Sequence, residues 1–398
     1  MADWYVEALG AEGPLASRRA LLAAGRSASF AIDEQSGALL ILGYRDVERL
    51  LLEPRLRGTG LSLFDFMGIF DGPLRDWYGH LMFTTENRTH HRLRSLVGKA
   101  FSPRSVEMLR PVAAAVVEAR LERVKRAGGG DLTEALADVP MQVMCALVGV
   151  PAADVPSFID WVNALGPTFG LMNPIQIEAA TDAIGGLLGY VTHLCEARDH
   201  TPSDDLISRL LAAEHEGDRL TREETAAMVA NLLVGGHDTT SSQIGCSLLT
   251  LLQRPEVLAR LDADGSRIPA VVDETIRFEP GITLAPRTVG EPIEINGVER
   301  AVGSMVWCVT STANRDATVW HDPETFDPDR FLEPDAPRLL TFGGGPHHCL
   351  GAWLARLTLE ETVRGVASRA PSLTVLPEQI AWVTSLGSNP ASLPVSMH

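Results

Sequence analysis

Apolar residues recur every three to four positions along most of the chain, which predicts a mainly helical protein with small β-sheet regions. The predicted helices cover residues 14–24, 46–53, 89–101, 105–127, 132–150, 155–165, 176–198, 221–253, 270–277 and 350–368. Strand-like patterns predict a hairpin over 30–42, a strand over 302–309 and a terminal turn and strand over 381–395. Because neither a repeat nor a low-complexity linker interrupts these patterns, we expect residues 1–398 to form a single domain.

Two segments do not fit a regular period. Residues 54–86 are rich in large apolar side chains, so they form either a functional loop or a loop that packs onto the core. Residues 166–174, rich in Gly and Pro, join two predicted helices and form either a moving lid or a static connection.

The composition narrows the functional classes. Asp and Glu (51) outnumber Lys and Arg (34), and the formal net charge of −17 argues against a nucleic-acid surface. No apolar run approaches the about 18 residues of a membrane-spanning helix, and acids stand where a signal peptide carries a basic region. Five cysteines without a pairing pattern indicate a reducing compartment. We therefore expect a soluble, cytoplasmic protein that binds neither nucleic acid nor membrane.

A glycine-rich loop near the C-terminus presents one cysteine at the start of a predicted helix, and its key residues are Phe342, Gly345, His347, Cys349 and Gly351. A helix N-terminus stabilises a thiolate, and glycines let a flat ligand approach the backbone closely. Such a sulfur suits an iron that needs strong electron donation. The alternatives are a structural loop with an inert cysteine and, less favoured because no C-x-x-C partner exists, a zinc site.

The helix predicted over 221–253 begins with a capping box and carries Gly235, Gly236, His237, Asp238 and Thr239 at its centre. Each mid-helix glycine costs about 1 kcal/mol relative to alanine, so the helix keeps them for a reason. That reason is either a functional site or a kink in a core helix whose aspartate is satisfied locally.

Both motifs resemble those of the cytochrome P450 family, the haem-thiolate monooxygenases, in its soluble bacterial form. The resemblance implies that haem b lies between the long helix and the cysteine loop, with Cys349 as the iron ligand. It implies that Thr239 hydrogen-bonds dioxygen at the iron and that Asp238 relays protons to it. Gly235 and Gly236 would give the oxygen room and let the helix bulge.

Three further motifs follow the order of the family. The resemblance assigns His90 and Arg94, which without it would be an ordinary solvated helix face, to the haem propionates together with Arg287 and His347. It assigns Glu274, Arg277 and Arg330 to a buried ion cluster behind the cysteine loop. It also implies that residues 54–86 cover the substrate pocket, that residues 282–285 point into it, and that Leu386 and its neighbours close it.

The implied function is the insertion of one oxygen atom into an apolar small molecule by hydroxylation or epoxidation. A steroid, terpenoid, fatty-acid or polyketide skeleton fits equally well. A haem-based sensor and a peroxide-using or non-oxidative haem enzyme remain alternatives, although each has less use for Asp238 and Thr239. No flavin or iron–sulfur module fits in this length, so a separate ferredoxin or flavodoxin-like protein with its reductase should donate electrons to a monomer.

The electron donor would dock on a basic face, or else the same cations form an ordinary solvated surface. The cations proposed for this face are Arg92, Lys99, Arg104, Arg110 and Arg356.

Overall fold

Helices dominate the computed structural model, which describes residues 14–33, 36–170, 172–215, 217–261, 265–369, 372–384 and 388–397. In chain order the α-helices are α1 Pro14–Gly25, α2 Tyr44–Leu50, α3 Ser62–Phe66, α4 Pro73–Gly79, α5 Asn87–Ala100, α6 Pro103–Glu107, α7 Arg110–Arg126, α8 Leu132–Leu136, α9 Val139–Val148, α10 Val155–Leu165, α11 Pro174–His200, α12 Leu206–Ala212, α13 Arg222–Leu252, α14 Pro255–Leu258, α15 Ile268–Phe278, α16 Thr310–Ala313 and α17 Ala352–Ala367.

The strands are short and form small sheets beside the helices. They are β1 Phe30–Ile32, β2 Leu39–Ile41, β3 Leu56–Arg57, β4 Gly129–Asp131, β5 Glu214–His215, β6 Asp218–Arg219, β7 Ala285–Val289, β8 Ile293–Ile295, β9 Val298–Arg300, β10 Met305–Cys308, β11 Leu373–Val375, β12 Ala381–Thr384, β13 Ser388–Ser392 and β14 Pro394–Met397. The largest sheet has the order β1-β2-β10-β7-β3, and a three-stranded sheet has the order β11-β14-β4. The mainly helical fold with small sheets is therefore confirmed.

The predicted hairpin is present as the antiparallel pair β1–β2, and β10 joins β2 in parallel. β7 lies antiparallel to β10, with Arg287 opposite Val306. This sheet therefore fixes the backbone position of Arg287, one of the predicted site residues.

Two predicted helices are each divided in the structure. The helix predicted over 105–127 is α6 and α7, and the helix predicted over 132–150 is α8 and α9. Pro111 and Pro140 lie in the first turns of α7 and α9. A proline lacks a backbone N–H and clashes with the preceding turn, so it starts a new helix instead of continuing an old one.

The segment 54–86 has more regular structure than predicted, because it contains β3, α3 and α4. Its aromatic residues divide between two environments. Phe64 is fully buried in the core, whereas Phe66 and Phe70 are 78% and 71% exposed. Part of the segment therefore packs onto the core. Leu386, expected to close the pocket, lies outside the described residues.

The long helix α13 occupies the centre of the fold, where it contacts α9, α11, α15 and α17. Thr221 and Glu224 form the predicted capping box at its start. The helix is α-helical throughout, including Gly235 and Gly236, so the expected bulge does not interrupt it. None of the helices in the described part of the chain has the length and apolar character needed to cross a membrane.

Candidate functional site

A cavity of about 390 Å³ lies beside the middle of α13, within the range of about 300–1,000 Å³ typical of cofactor and ligand pockets. Ten of the twelve predicted site residues line it. They are His90, Arg94, Gly235, Gly236, Thr239, Arg287, Phe342, His347, Cys349 and Gly351. The other two, Asp238 and Gly345, lie outside the lining.

Gly345 shapes the cysteine loop. Its φ of 63° lies in the left-handed region, and a Cβ at this position would come within 3.0 Å of the Leu51 carbonyl oxygen. Downstream of this turn, the Cys349 N–H donates to the Phe342 carbonyl at 2.9 Å. The glycine therefore acts through the turn that presents Cys349.

The Cys349 thiol opens onto the cavity and lies three residues before the start of α17. Burial raises the pKa of this thiol, while N–H groups of Gly351 and Ala352 and the charges of Arg94 and Arg356 oppose the rise. Among the described residues, no three His, Cys, Asp or Glu side chains are grouped to hold a metal ion. A lone thiolate supported by N–H groups and cations is the donor set of a haem iron.

Arg356 connects the cysteine loop to α15, a role that its sequence position does not signal. Its guanidinium lies 4.5 Å from the centre of the Phe342 ring, and its Nε donates to Asp273 Oδ1 at 2.7 Å. The same side chain therefore holds Phe342 in place and puts a positive charge near the sulfur.

Two guanidinium groups line the cavity without an acidic partner. Within the described residues, neither Arg94 nor Arg287 forms an ion pair with a carboxylate, and Arg287 donates only to the Pro286 carbonyl, at 2.9 Å. Burial lowers the pKa of both arginines. Arg287 is buried and Arg94 is half-buried, and a desolvated cation without a partner is costly, so the cavity suits a ligand with two negative groups.

His90 and His347 lie next to each other at the same cavity, with ring centres 4.4 Å apart. Burial, with a smaller contribution from the charge of His347, lowers the pKa of His90 to about 4. His347 Nε2 is 3.2 Å from Glu86 Oε2, and the Gly58 N–H donates to Glu86 Oε1 at 2.6 Å. Sequence reasoning missed Glu86, because only the fold brings residues 58, 86 and 347 together.

The central motif of α13 divides between two sides of the helix. Thr239 lines the cavity, and its Oγ1 donates to the Gly235 carbonyl at 2.8 Å. Asp238 lies beside Gly166, where a Cβ would come within 2.5 Å of the carboxylate Oδ2. About half of the Asp238 side chain, 51%, is exposed, yet burial of the rest raises the pKa of its carboxyl.

His237 ties this motif to a neighbouring helix. Its Nε2 is 3.1 Å from Asn163 Oδ1 in α10 and 3.9 Å from Asp238 Oδ1. Burial lowers the pKa of His237, which favours the neutral ring. No local sequence pattern indicates the contact between His237 and Asn163.

The predicted ion cluster is present behind the cysteine loop. Arg277 pairs with Glu274 through two bonds of 2.7 and 2.9 Å, both side chains are fully buried, and Arg330 lies 3.3 Å from Glu274. Arg277 also donates to the Asn314 carbonyl at 3.0 Å. The Asn314 side chain in turn bonds Leu340 and Thr341, directly before Phe342. The cluster therefore supports the loop from behind, without lining the cavity.

The predicted basic docking face is largely neutralised by ion pairs. Arg92 pairs with Asp218 and Glu224, and Lys99 donates to the Glu214 carbonyl at 2.6 Å. Arg110 pairs with three glutamates, and Arg356 with Asp273. Of the five proposed cations, only Arg104 makes no such side-chain bond to another described residue. In a chain with more acids than bases, most surface cations find a local partner.

Comparisons with known proteins agree with this geometry. The model of the cytochrome P450 family matches residues 67–363. Nocardicin C N-oxygenase from Nocardia uniformis subsp. tsuyamanensis is 38% identical over 323 residues, 79% of each chain. Cytochrome P450 107B1 from Saccharopolyspora erythraea is 34% identical over 356 residues, which cover 87% of this chain and 85% of the relative. The cytochrome P450 PksS of the Bacillus subtilis 168 bacillaene polyketide synthase has a TM-score of 0.84 at 27% identity, covering 95% of this chain and 96% of that one.

The residues around the cavity fit the cofactor of that family. Haem b carries an iron that a cysteine thiolate ligates and two propionate groups that cations bind. The cavity offers one lone thiol and two unpaired guanidinium groups, and glycines of α13 keep one wall open. The fold, the site and the comparisons together show that this chain belongs to the cytochrome P450 family and is a haem b-dependent oxidoreductase of the monooxygenase type.

Proposed function

We propose that residues 1–398 act as one domain that hydroxylates or epoxidises an apolar small molecule. The observation that carries the proposal is a single cavity lined by the Cys349 thiol, the Thr239 hydroxyl and the unpaired cations Arg94 and Arg287. A sensor needs the thiol and the cations but not the hydroxyl beside them.

Cys349 is proposed as the iron ligand, with Arg94, Arg287, His90 and His347 at the propionates. When bound, haem b supplies the iron chemistry that activates dioxygen with two electrons and two protons. Gly235 leaves open space on the cavity side of α13, since a Cβ there would meet no atom within 4 Å. His90 would bind a propionate through a hydrogen bond from a ring N–H.

Thr239 and Asp238 are proposed to deliver protons. The Thr239 hydroxyl donates to the Gly235 carbonyl, so its oxygen is left to accept a hydrogen bond from a group in the cavity. The half-exposed Asp238 carboxyl reaches water, and its raised pKa makes it a better proton carrier near neutral pH than an ordinary aspartate.

The substrate is proposed to be an apolar skeleton of the steroid, terpenoid, fatty-acid or polyketide kind. Apolar side chains make up most of the cavity wall beyond the thiol and the cations. They include Met82, Phe83, Leu232, Ile282, Leu284 and Ala285. The names of the relatives, one an oxygenase of nocardicin C and one part of a polyketide synthase, point to different substrates, so similarity alone selects none.

Electrons are proposed to come from a separate ferredoxin or flavodoxin-like protein with its reductase, acting on a monomer. Residues 67–363 match the cytochrome P450 family, and the helices and sheets of the described residues belong to its fold, which supports an electron donor on a separate chain.

Thr239→Ala tests the proposal. With a reductase system, product formed per electron pair should fall about 10-fold or more, because a positioned proton donor contributes about 10²-fold or more to a rate. With hydrogen peroxide, which brings its own protons and electrons, turnover should largely survive. The measurement is product yield against reductant consumed.

Ser241→Ala is the matched control, since Ser241 lies on the same helix and its hydroxyl bonds the Ala137 carbonyl instead of facing the cavity. All variants must first give a thiolate-type carbon monoxide spectrum, which Cys349→Ser should abolish. Undiminished reductase-driven turnover in Thr239→Ala would rule out the proposed proton delivery.

A further inference from the structure

Asn231 stands out on the cavity wall because it is an amide among apolar side chains. It lies four residues before Gly235 and eight before Thr239, so all three share one face of α13. The cavity wall also includes Leu232 of the same helix, and Met82 and Phe83 from the segment between α4 and α5.

The Asn231 side chain has little use within the protein. Its Nδ2 lies 3.9 Å from Met228 Sδ, a weak acceptor, and within the described residues its Oδ1 accepts no hydrogen bond. Gln243, the other amide that lines the cavity, is bonded on both sides. Its Nε2 donates to Ser247 Oγ and the Glu279 carbonyl, each at 3.1 Å, and its Oε1 accepts from the Gly281 N–H. The hydrogen bonds of Gln243 therefore join α13 to residues 279–281, whereas the Asn231 amide is available to bind a ligand.

We propose that Asn231 is a specificity-determining residue that binds an oxygen-bearing group of an otherwise apolar substrate. This inference rests on the proposed function and narrows it. The Asn231 amide donates to a ketone or ester carbonyl through Nδ2 and accepts from a hydroxyl through Oδ1. A plain hydrocarbon would desolvate this amide without replacing the hydrogen bonds that the amide makes with water.

The position of Asn231 also gives it control over where the substrate is oxidised. Eight helical residues separate it from Thr239, about 12 Å along the helix axis. A substrate oxygen held at Asn231 fixes which carbon lies beside Thr239. Loss of the amide should therefore loosen regioselectivity as well as affinity.

Ketone and hydrocarbon pairs of nearly equal shape test the inference. We would titrate 4-phenylcyclohexanone against phenylcyclohexane, and 2-decalone against decalin, into holoprotein with a thiolate-type carbon monoxide spectrum. The Soret shift gives each Kd. In the wild type the ketones should bind about 10-fold more tightly, the size of one neutral hydrogen bond. Asn231→Leu should remove this preference by weakening ketone binding and tightening hydrocarbon binding, so that the two Kd values come within about twofold of each other.

Two further variants make the result specific. Leu232→Ala, on the next residue, should weaken ketone and hydrocarbon equally because it removes only apolar contact. Asn231→Asp, of the same size, should lose the ketone preference but still bind 4-phenylcyclohexanol, because a carboxylate accepts and cannot donate.

The inference is overturned if no ketone binds more tightly than its hydrocarbon in the wild type, or if the preference survives in Asn231→Leu. A wild-type protein without the thiolate-type spectrum would instead count against the proposed function, so the two failures are distinguishable.

Discussion

Thr239 and Asp238 are adjacent in sequence, yet the helix turns their side chains about 100° apart. Thr239 faces the cavity, while Asp238 lies against Gly166 with about half of its surface exposed. The motif predicted both residues as one functional pair. It did not predict that they lie on different sides of the helix, because that depends on where the Gly166 segment packs.

Asp238→Asn should change stability in a pH-dependent way. Because the pKa of Asp238 is raised above 3.8 in the folded protein, the folded state binds more protons than the unfolded chain near this pKa, and stability falls as pH rises through it. The variant should therefore melt at a higher temperature than the wild type at pH 7, and the difference should close below about pH 4. Thermal melting of holoprotein at several pH values measures this.

The matched control is Asp160→Asn, in α10, whose exposed side chain makes no ion pair with another described residue. It should melt like the wild type at every pH. A lower melting temperature for Asp238→Asn at pH 7 would show that the charged carboxylate stabilises the fold, contrary to the raised pKa.

At the scale of elements, the cysteine loop depends on α15. Arg277 holds Glu274 and the Asn314 carbonyl, and the Asn314 side chain holds the backbone just before Phe342. Arg356 adds a second link, from Asp273 of α15 to the Phe342 ring. The position of the sulfur is therefore set by buried polar contacts that begin on another helix.

Glu274→Gln should destabilise the protein by about 3–5 kcal/mol, because it leaves the fully buried Arg277 without its counter-charge. Urea unfolding followed by circular dichroism measures the loss, and the Soret band reports whether haem is released first. Glu214→Gln, which breaks the exposed pair with Arg219, should cost only about 0–1 kcal/mol. Equal losses in the two variants would contradict a supporting role for the cluster.

The sequence predicted most helices, because the apolar period that defines them is local. α10 was predicted with both ends correct, and the Thr221–Glu224 capping box of α13 is present. The breaks at Pro111 and Pro140 were also readable, but the continuous apolar period concealed them. Contacts between distant residues, such as Arg92 with Glu224 of the capping box, depend on the packing of α5 against the following segments and leave no local pattern.

At the scale of the whole molecule, the excess of acidic residues weakens any basic surface on which an electron donor would dock. The net charge of −17 comes with cations that are mostly engaged in ion pairs, including three of the five proposed for docking, and a fourth, Lys99, donates to a backbone carbonyl. A basic field strong enough to steer an acidic donor is not expected from such a surface.

The rate of reduction by a ferredoxin or flavodoxin donor should therefore change less than about threefold between about 20 and 500 mM NaCl. Stopped-flow reduction under carbon monoxide measures this rate. Arg104→Glu, at the unpaired cation, should slow it only at the lowest salt, and reduction by dithionite is the control that needs no docking. A rate that falls more than about 10-fold with added salt would instead support docking of the donor on the basic face.

The unpaired Arg94 and Arg287 have a consequence for production of the protein. A chain made faster than the host supplies tetrapyrrole keeps two guanidinium groups at the cavity without a counter-charge, one of them buried, and such a chain should be more prone to unfolding and degradation. Feeding 5-aminolevulinate to the expression culture should then increase the total amount of intact polypeptide recovered, as well as its red colour. The amount of polypeptide recovered then measures how strongly the survival of newly made chains depends on haem binding.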